Sequence, residues 1–73
     1  MTFADLFLRV RQEVDRRVRN GDVTVRRLAI RAGLSQSHLQ NVLSGRRSIS
    51  AETADRLLGE LGLTVLDLLN PDN

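Results

Sequence analysis

The chain is expected to fold as an all-α domain of five short helices, and three observations lead there. Apolar residues recur at intervals of three and four in one stretch after another, the spacing of a helix with one buried face. A Ser or Thr stands ahead of each stretch, where its oxygen can accept a free backbone N–H, and a glycine follows four of the five. No segment alternates apolar and polar residues as a half-buried strand does. No internal repeat or low-complexity linker divides the 73 residues, so residues 1–73 are expected to be a single domain.

Thr2, followed three residues later by Asp5, has the form of a capping box with aspartate as the acid. Phe3, Leu6, Phe7, Val10, Val14 and Val18 then fall within an arc of about 120°, while Arg9, Arg16 and Arg19 lie outside it. Asn20-Gly21 ends this first helix. Thr24 caps a short second helix whose inward residues are Val25, Leu28, Ala29 and Ala32, and Gly33 stops it. Leu34 bridges a tight corner. Ser35 caps a third helix that runs to Leu43 and is stopped by Ser44-Gly45. After the polar connection Arg46-Arg47-Ser48, Ser50 caps a fourth helix carrying Ala54, Leu57, Leu58 and Leu61, closed by Gly62. Thr64 and Asp67 repeat the capping pattern for a brief fifth helix containing Val65, Leu66, Leu68 and Leu69, and Asn70-Pro71 is expected to end the fold.

Composition excludes several classes of function. With no cysteine and one histidine there is no disulfide framework and no plausible zinc site, so neither metal nor cofactor is expected. The core must be apolar packing alone, completed or not by a partner subunit. Two Phe without Tyr or Trp argue against the base-stacking platforms of RRM and OB folds. Catalysis is not expected, because scattered carboxylates and one histidine on so short a chain make no pocket with a nucleophile and a base. No apolar run approaches the roughly 18 residues of a membrane span. Glu60 and Asp67 interrupt the longest one, and Asp5 breaks the continuity a signal peptide needs. The first helix is basic and amphipathic, as membrane-surface helices are, but further apolar helices follow for its stripe to pack against. A cytoplasmic protein with no membrane partner is the expectation.

All eleven cations are arginine, and the formal charge is only +2. The pI near 11.0 overstates basicity, since almost nothing titrates between the α-amino group and arginine. Where the charge lies is more informative. Residues 1–22 carry five arginines and four acids (+1), residues 23–51 five arginines and no acid (+5), and residues 52–73 one arginine and five acids (−4). A basic middle of this kind is the footprint of a protein that meets a polyanion with one face. An arginine-rich, merely solvated surface is the plainer alternative.

The third helix sharpens this. Leu39, Val42 and Leu43 occupy one arc of about 100°, and the opposite arc of about 140° holds Gln36, Ser37, Gln40, Asn41 and Ser44. An ordinary solvent face carries Glu and Lys; this one is polar and uncharged, with donor-acceptor groups of the kind that read base edges. Arg26, Arg27 and Arg31 precede it and Arg46 and Arg47 follow, where phosphates beside a groove would sit. A solvated polar face remains the other reading.

Leu28-Ala29, Gly33-Leu34-Ser35, the apolar Leu39 and Val42, and Gly45 stand at fixed offsets within the run from Thr24 to Gly45. Together with Ile49-Ser50-Ala51-Glu52 and the leucine-rich residues 61–69, they resemble the Cro/C1-type (XRE) helix-turn-helix, the phage-repressor-like DNA-binding family. The likeness covers residues 4–69, with the helix-turn-helix at about 24–43. It implies a sequence-specific regulator that binds double-stranded DNA; with no effector domain or ligand pocket expected, control by operator occupancy, blocking or aiding polymerase, is the expected mechanism, with a repressor the first expectation. Carried over position by position, it implies that Ser35, Gln36, Ser37, Gln40 and Asn41 face the major groove, Gln36 foremost. Thr24, Arg26, Arg27, Ser44, Arg46 and Arg47 would hold phosphates.

The chain departs from the family at Val25, where glutamine often contacts a phosphate, and at Ile49, where proline is common. The first leaves that contact absent, or made instead by Thr24 or Arg26. His38 lies between the polar and apolar arcs, a partly exposed packing residue or a phosphate contact. A homodimer is also expected, and two-fold symmetry would place its recognition helices about 34 Å apart on a pseudo-palindromic operator. Its surface is expected within residues 61–69, from Leu61 to Leu69, unless Leu63, Leu66 and Leu69 close the monomer's own core instead. The stretch from Ser50 to Leu57 is similar to that of small antitoxins of the same fold, so a protein-interaction module with a toxin partner, DNA binding secondary or absent, is the competing expectation.

Overall fold

Each of the first four helices begins where a hydroxyl side chain takes up a backbone N–H that has no partner inside the helix. Thr2 accepts from the Asp5 N–H at 3.2 Å while the Asp5 carboxylate accepts from the Thr2 N–H at 3.1 Å, a complete capping box. Thr24, Ser35 and Ser50 each accept the N–H three residues on, from Arg27, His38 and Thr53, at 3.0–3.1 Å. Each cap stabilises its helix by about 1 kcal/mol. The resulting elements, in the computed structural model, which describes residues 2–69, are α1 (Phe3–Arg19), α2 (Val25–Ala32), α3 (Gln36–Leu43), α4 (Ala51–Glu60) and α5 (Val65–Leu69). Among the described residues there is no strand, and the expected all-α class with five helices is observed. At α5 only the returning half of the box forms, the Asp67 carboxylate accepting from the Thr64 N–H at 2.8 Å. The expected stop at Asn70-Pro71 lies outside the described residues.

Between α2 and α3 the corner depends on Gly33, which adopts φ +75° while the next N–H, that of Leu34, returns to the Ala29 carbonyl at 2.8 Å. A side chain there would meet the left-handed penalty that glycine avoids.

A single buried cluster joins Val10 and Val14 of α1, Leu28, Ala29 and Ala32 of α2, Leu39 and Val42 of α3, and Ala54, Leu57 and Leu58 of α4. α1 packs against α3, α4 and α5, and α2 against α3 and α4. The helix-turn-helix of α2 and α3 is therefore set on a platform made by α1 and α4. That platform holds α3 by its apolar side and leaves the Gln- and Ser-rich side outward.

The structure corrects or sharpens the sequence reading at four points. Phe3 belongs to the apolar stripe of α1 by spacing but is 45% exposed, because the 17-residue helix, about 25 Å long, outruns the two-turn helices it packs on. Arg9 falls outside that stripe by spacing, yet it is half-buried and donates to the Leu68 carbonyl at 2.9 Å, tying α5 to α1. Ile49, directly after the polar connection Arg46-Arg47-Ser48, is buried and pins the loop after α3 into the core. Finally, the leucine-rich end is divided. Leu61, Leu63, Val65 and Leu68 pack against the core, whereas Leu66 and Leu69 are 66% and 40% exposed.

Candidate nucleic-acid interface

The outward side of α3 is set by its two buried residues. With Leu39 and Val42 turned into the cluster, helical spacing leaves Gln36, Ser37 and Gln40 exposed in one patch, with Asn41 half-buried at its edge. Ser35 is exposed at the N-cap, its oxygen already accepting from the His38 N–H, so its hydroxyl proton is what remains to offer. Thr24 is in the same position at the start of α2. His38 is half-buried between the two arcs, as its spacing indicates.

The C-terminal end of α3 is knotted by one acceptor. The Asn41 carbonyl receives the Arg46 N–H at 2.9 Å, the Arg47 N–H at 3.2 Å and the Ser44 hydroxyl at 3.1 Å. Three donors on one oxygen fold the chain back over the helix end and fix where Arg46 and Arg47 leave it, both side chains exposed. Ser44 directs its hydroxyl proton to that carbonyl, which leaves it only lone pairs to present to an anion. Gly45 makes the reversal possible at φ +85°. Lying against it is the Arg11 guanidinium of α1, which a Cβ at position 45 would strike.

Arginines divide by partner. Arg16 and Arg17 share Glu13 at 2.6 and 3.0 Å, Arg19 pairs with Asp15 at 3.0 Å, Arg56 with Glu52 at 2.9 Å, and Arg31 with Glu60 at 3.6 Å. Arg9 is committed to a carbonyl. Among the described residues no ion pair or hydrogen bond engages the side chains of the remaining five: Arg11, Arg26, Arg27, Arg46 and Arg47. Arg27 lines a cleft with Arg17, Asp22, Arg31 and Glu60. Arg26 is exposed one residue earlier on α2.

Four of those five are among the expected phosphate contacts; the fifth, Arg11, is one that the sequence reading does not single out. A signal for it exists. Asp15 stands four residues from both Arg11 and Arg19, and an acid pairs better with a base on its C-terminal side in a helix, which awards Asp15 to Arg19 and leaves Arg11 over.

Comparison with known families bears on the same residues. The family model described as Helix-turn-helix matches residues 15–68, from the second half of α1 into α5. Neither the curated proteins nor the solved structures gave a match. The family match takes in α2, the Gly33 corner, α3 and most of the platform beneath them, and on it the chain belongs to the Cro/C1-type helix-turn-helix family of DNA-binding regulators.

Proposed function

We propose that this protein is a cytoplasmic, sequence-specific transcriptional repressor that acts by occupying its operator, with α3 in the major groove. The observation that carries the reading is the pairing of an uncharged face of Gln36, Ser37 and Gln40 with arginines that have no acidic partner among the described residues. Amide side chains can make two directed hydrogen bonds to an adenine edge, and guanidinium groups left without carboxylates are free for phosphate oxygens. In this scheme Gln36, Ser37, Gln40 and Asn41, with Ser35 at the helix start, read bases, and Thr24, Arg26, Arg27, Arg46 and Arg47 hold the backbone, joined by Ser44 only when its hydroxyl proton turns from the Asn41 carbonyl to a phosphate oxygen. The exposed Leu66 and Leu69 are the part of the 61–69 segment left for a two-fold contact between copies. Such a dimer presents its two α3 helices about 34 Å apart to a pseudo-palindromic site.

The test is a fluorescence-anisotropy titration against the DNA upstream of the protein's own gene and against a scrambled duplex, at two salt concentrations. Tight binding to the first, with weaker binding to the second, is expected. For a dimer covering about 6 to 10 phosphates, affinity should fall by roughly 10³ to 10⁵ between about 50 and 200 mM salt. Absence of binding to either duplex at low salt would overturn the proposal and turn attention to a protein partner of the toxin kind. A species that stays monomeric on the DNA would remove the palindrome.

A further inference from the structure

We infer that Arg11, on α1 and outside the helix-turn-helix, is a further phosphate-binding residue that forms one cationic clamp with Arg46 and Arg47 at the C-terminal end of α3. The inference rests on the DNA-binding reading above and names a residue that the motif does not contain. Three observations carry it. The Arg11 guanidinium lies against Gly45, so it sits at the chain reversal from which Arg46 and Arg47 emerge. Successive Cα atoms are about 3.8 Å apart, which places the origins of those two side chains within about 8 Å of Gly45. All three arginines lack an acidic partner among the described residues, although Arg11 has Asp15 one helical turn away.

Like charges gathered this closely repel one another in the free protein, and an anion bound among them relieves that repulsion. The reversal also fixes the backbone from which two of the three side chains emerge, because the Arg46 and Arg47 amides both donate to the Asn41 carbonyl. Arg11 reaches the loop from a different helix and widens the clamp beyond what a sequence-local Arg-Arg pair can cover. A competing role is purely structural: the C-terminal end of α3 carries partial negative charge, which a guanidinium near Gly45 would offset. The two roles separate experimentally, since one changes the ion dependence of DNA binding and the other only the melting of the fold.

Binding to a scrambled duplex is measured as a function of salt for the parent, Arg11→Gln, Arg11→Lys and Arg16→Gln, with thermal melting of each followed by circular dichroism. The clamp predicts that Arg11→Gln lowers the slope of log K against log salt by about 0.9 for each phosphate that the protein no longer neutralises. Arg11→Lys should keep the parent slope, and so should Arg16→Gln, which removes the same formal charge from a residue paired with Glu13. A steep parent slope that Arg11→Gln leaves unaltered would overturn the clamp while leaving the DNA-binding reading intact. So would a folded Arg11→Lys protein whose slope drops as far as that of Arg11→Gln. If the parent itself binds without salt dependence, the DNA-binding reading fails and takes the clamp with it.

Discussion

The basic middle of the molecule and its flanks use the same residue for opposite ends. On α1 and α4 four of the six arginines face carboxylates, Glu13 taking two of them, Asp15 one and Glu52 one, while Arg9 donates to a carbonyl and Arg11 has no ion-pair partner among the described residues. In the segment of residues 23–51, which contains no acid, four of five arginines have no ion-pair partner among the described residues, and the fifth, Arg31, is answered by Glu60 from α4. The difference teaches that the number of arginines does not by itself distinguish the regions, whereas the partners they find separate committed guanidinium groups from uncommitted ones. Exposed pairs of the α1 kind contribute about 0–1 kcal/mol each. Their effect is to neutralise the flanks, so that the field of the molecule is set by the cations left over.

One way to break the comparison is to remove the core that both regions share. Leu39 is fully buried on α3 and packs in the same cluster as Val10 of α1 and Leu57 of α4. Leu39→Ala should cost about 2–5 kcal/mol, a large part of the roughly 4–11 kcal/mol expected for a domain of this size. Thermal and urea unfolding measure it, and a loss below about 1 kcal/mol would mean that α3 is not seated in the common core.

A sharper test acts on the middle alone. Gln36→Ala should cost about 1–3 kcal/mol at a specific site and relax the preference for one base pair, with no effect on a scrambled duplex. Equal losses on both duplexes would remove Gln36 from base readout. Smaller again is Arg47→Ala, which should weaken binding to all sequences alike and lower the salt slope by about one. Its counterpart in the flanks, Arg56→Ala, should leave the slope where it was, because that guanidinium is already committed to Glu52. Matching slopes for the two variants would erase the distinction drawn between paired and unpaired arginines.

The smallest expected effect belongs to the flanks. A hydrogen bond from Arg16, followed by one from Arg17, holds the Glu13 carboxyl below the usual glutamate range. A depressed folded value means that the stabilisation is fully present above about pH 4.3, the ordinary glutamate value, and is lost as pH falls through the lower folded value. Glu13→Gln should therefore cost up to about 1 kcal/mol near neutrality, an upper bound for pairs this exposed, and converge with the parent in strong acid. Urea unfolding at a series of pH values checks it; curves that stay parallel down to acid would exclude Glu13 as a titrating contributor.

Helix boundaries were legible because their causes are local. Thr2, Thr24, Ser35 and Ser50 cap the N–H three residues on, and Gly33 and Gly45 take the left-handed turns, using contacts within a few residues of chain. The outward face of α3 was legible for the same reason, since spacing alone separates Gln36 and Gln40 from Leu39 and Val42. What spacing could not give were contacts between residues far apart in sequence. Nothing near Arg9 announces that its guanidinium meets Leu68, 59 residues on. Ile49 looks like a loop residue until the core it enters is assembled. Leu63 and Leu66 carry the same side chain three residues apart, and only the packing of the last segment makes one half-buried and leaves the other exposed.

By itself, then, the sequence determined five helices, their caps, the family and the polar outward face of α3, because each depends on hydrogen bonds and apolar spacing along a single stretch of chain. The tertiary structure alone decided the partners that arginines reach across helices, whereas the pairs of Arg16, Arg17, Arg19 and Arg56 lie one turn apart on a single helix. A long, flexible side chain chooses its partner only once the helices have been set at their distances. Arg31 finds Glu60, and Arg11 lies against Gly45, only after α1, α2, α3 and α4 have closed on one another.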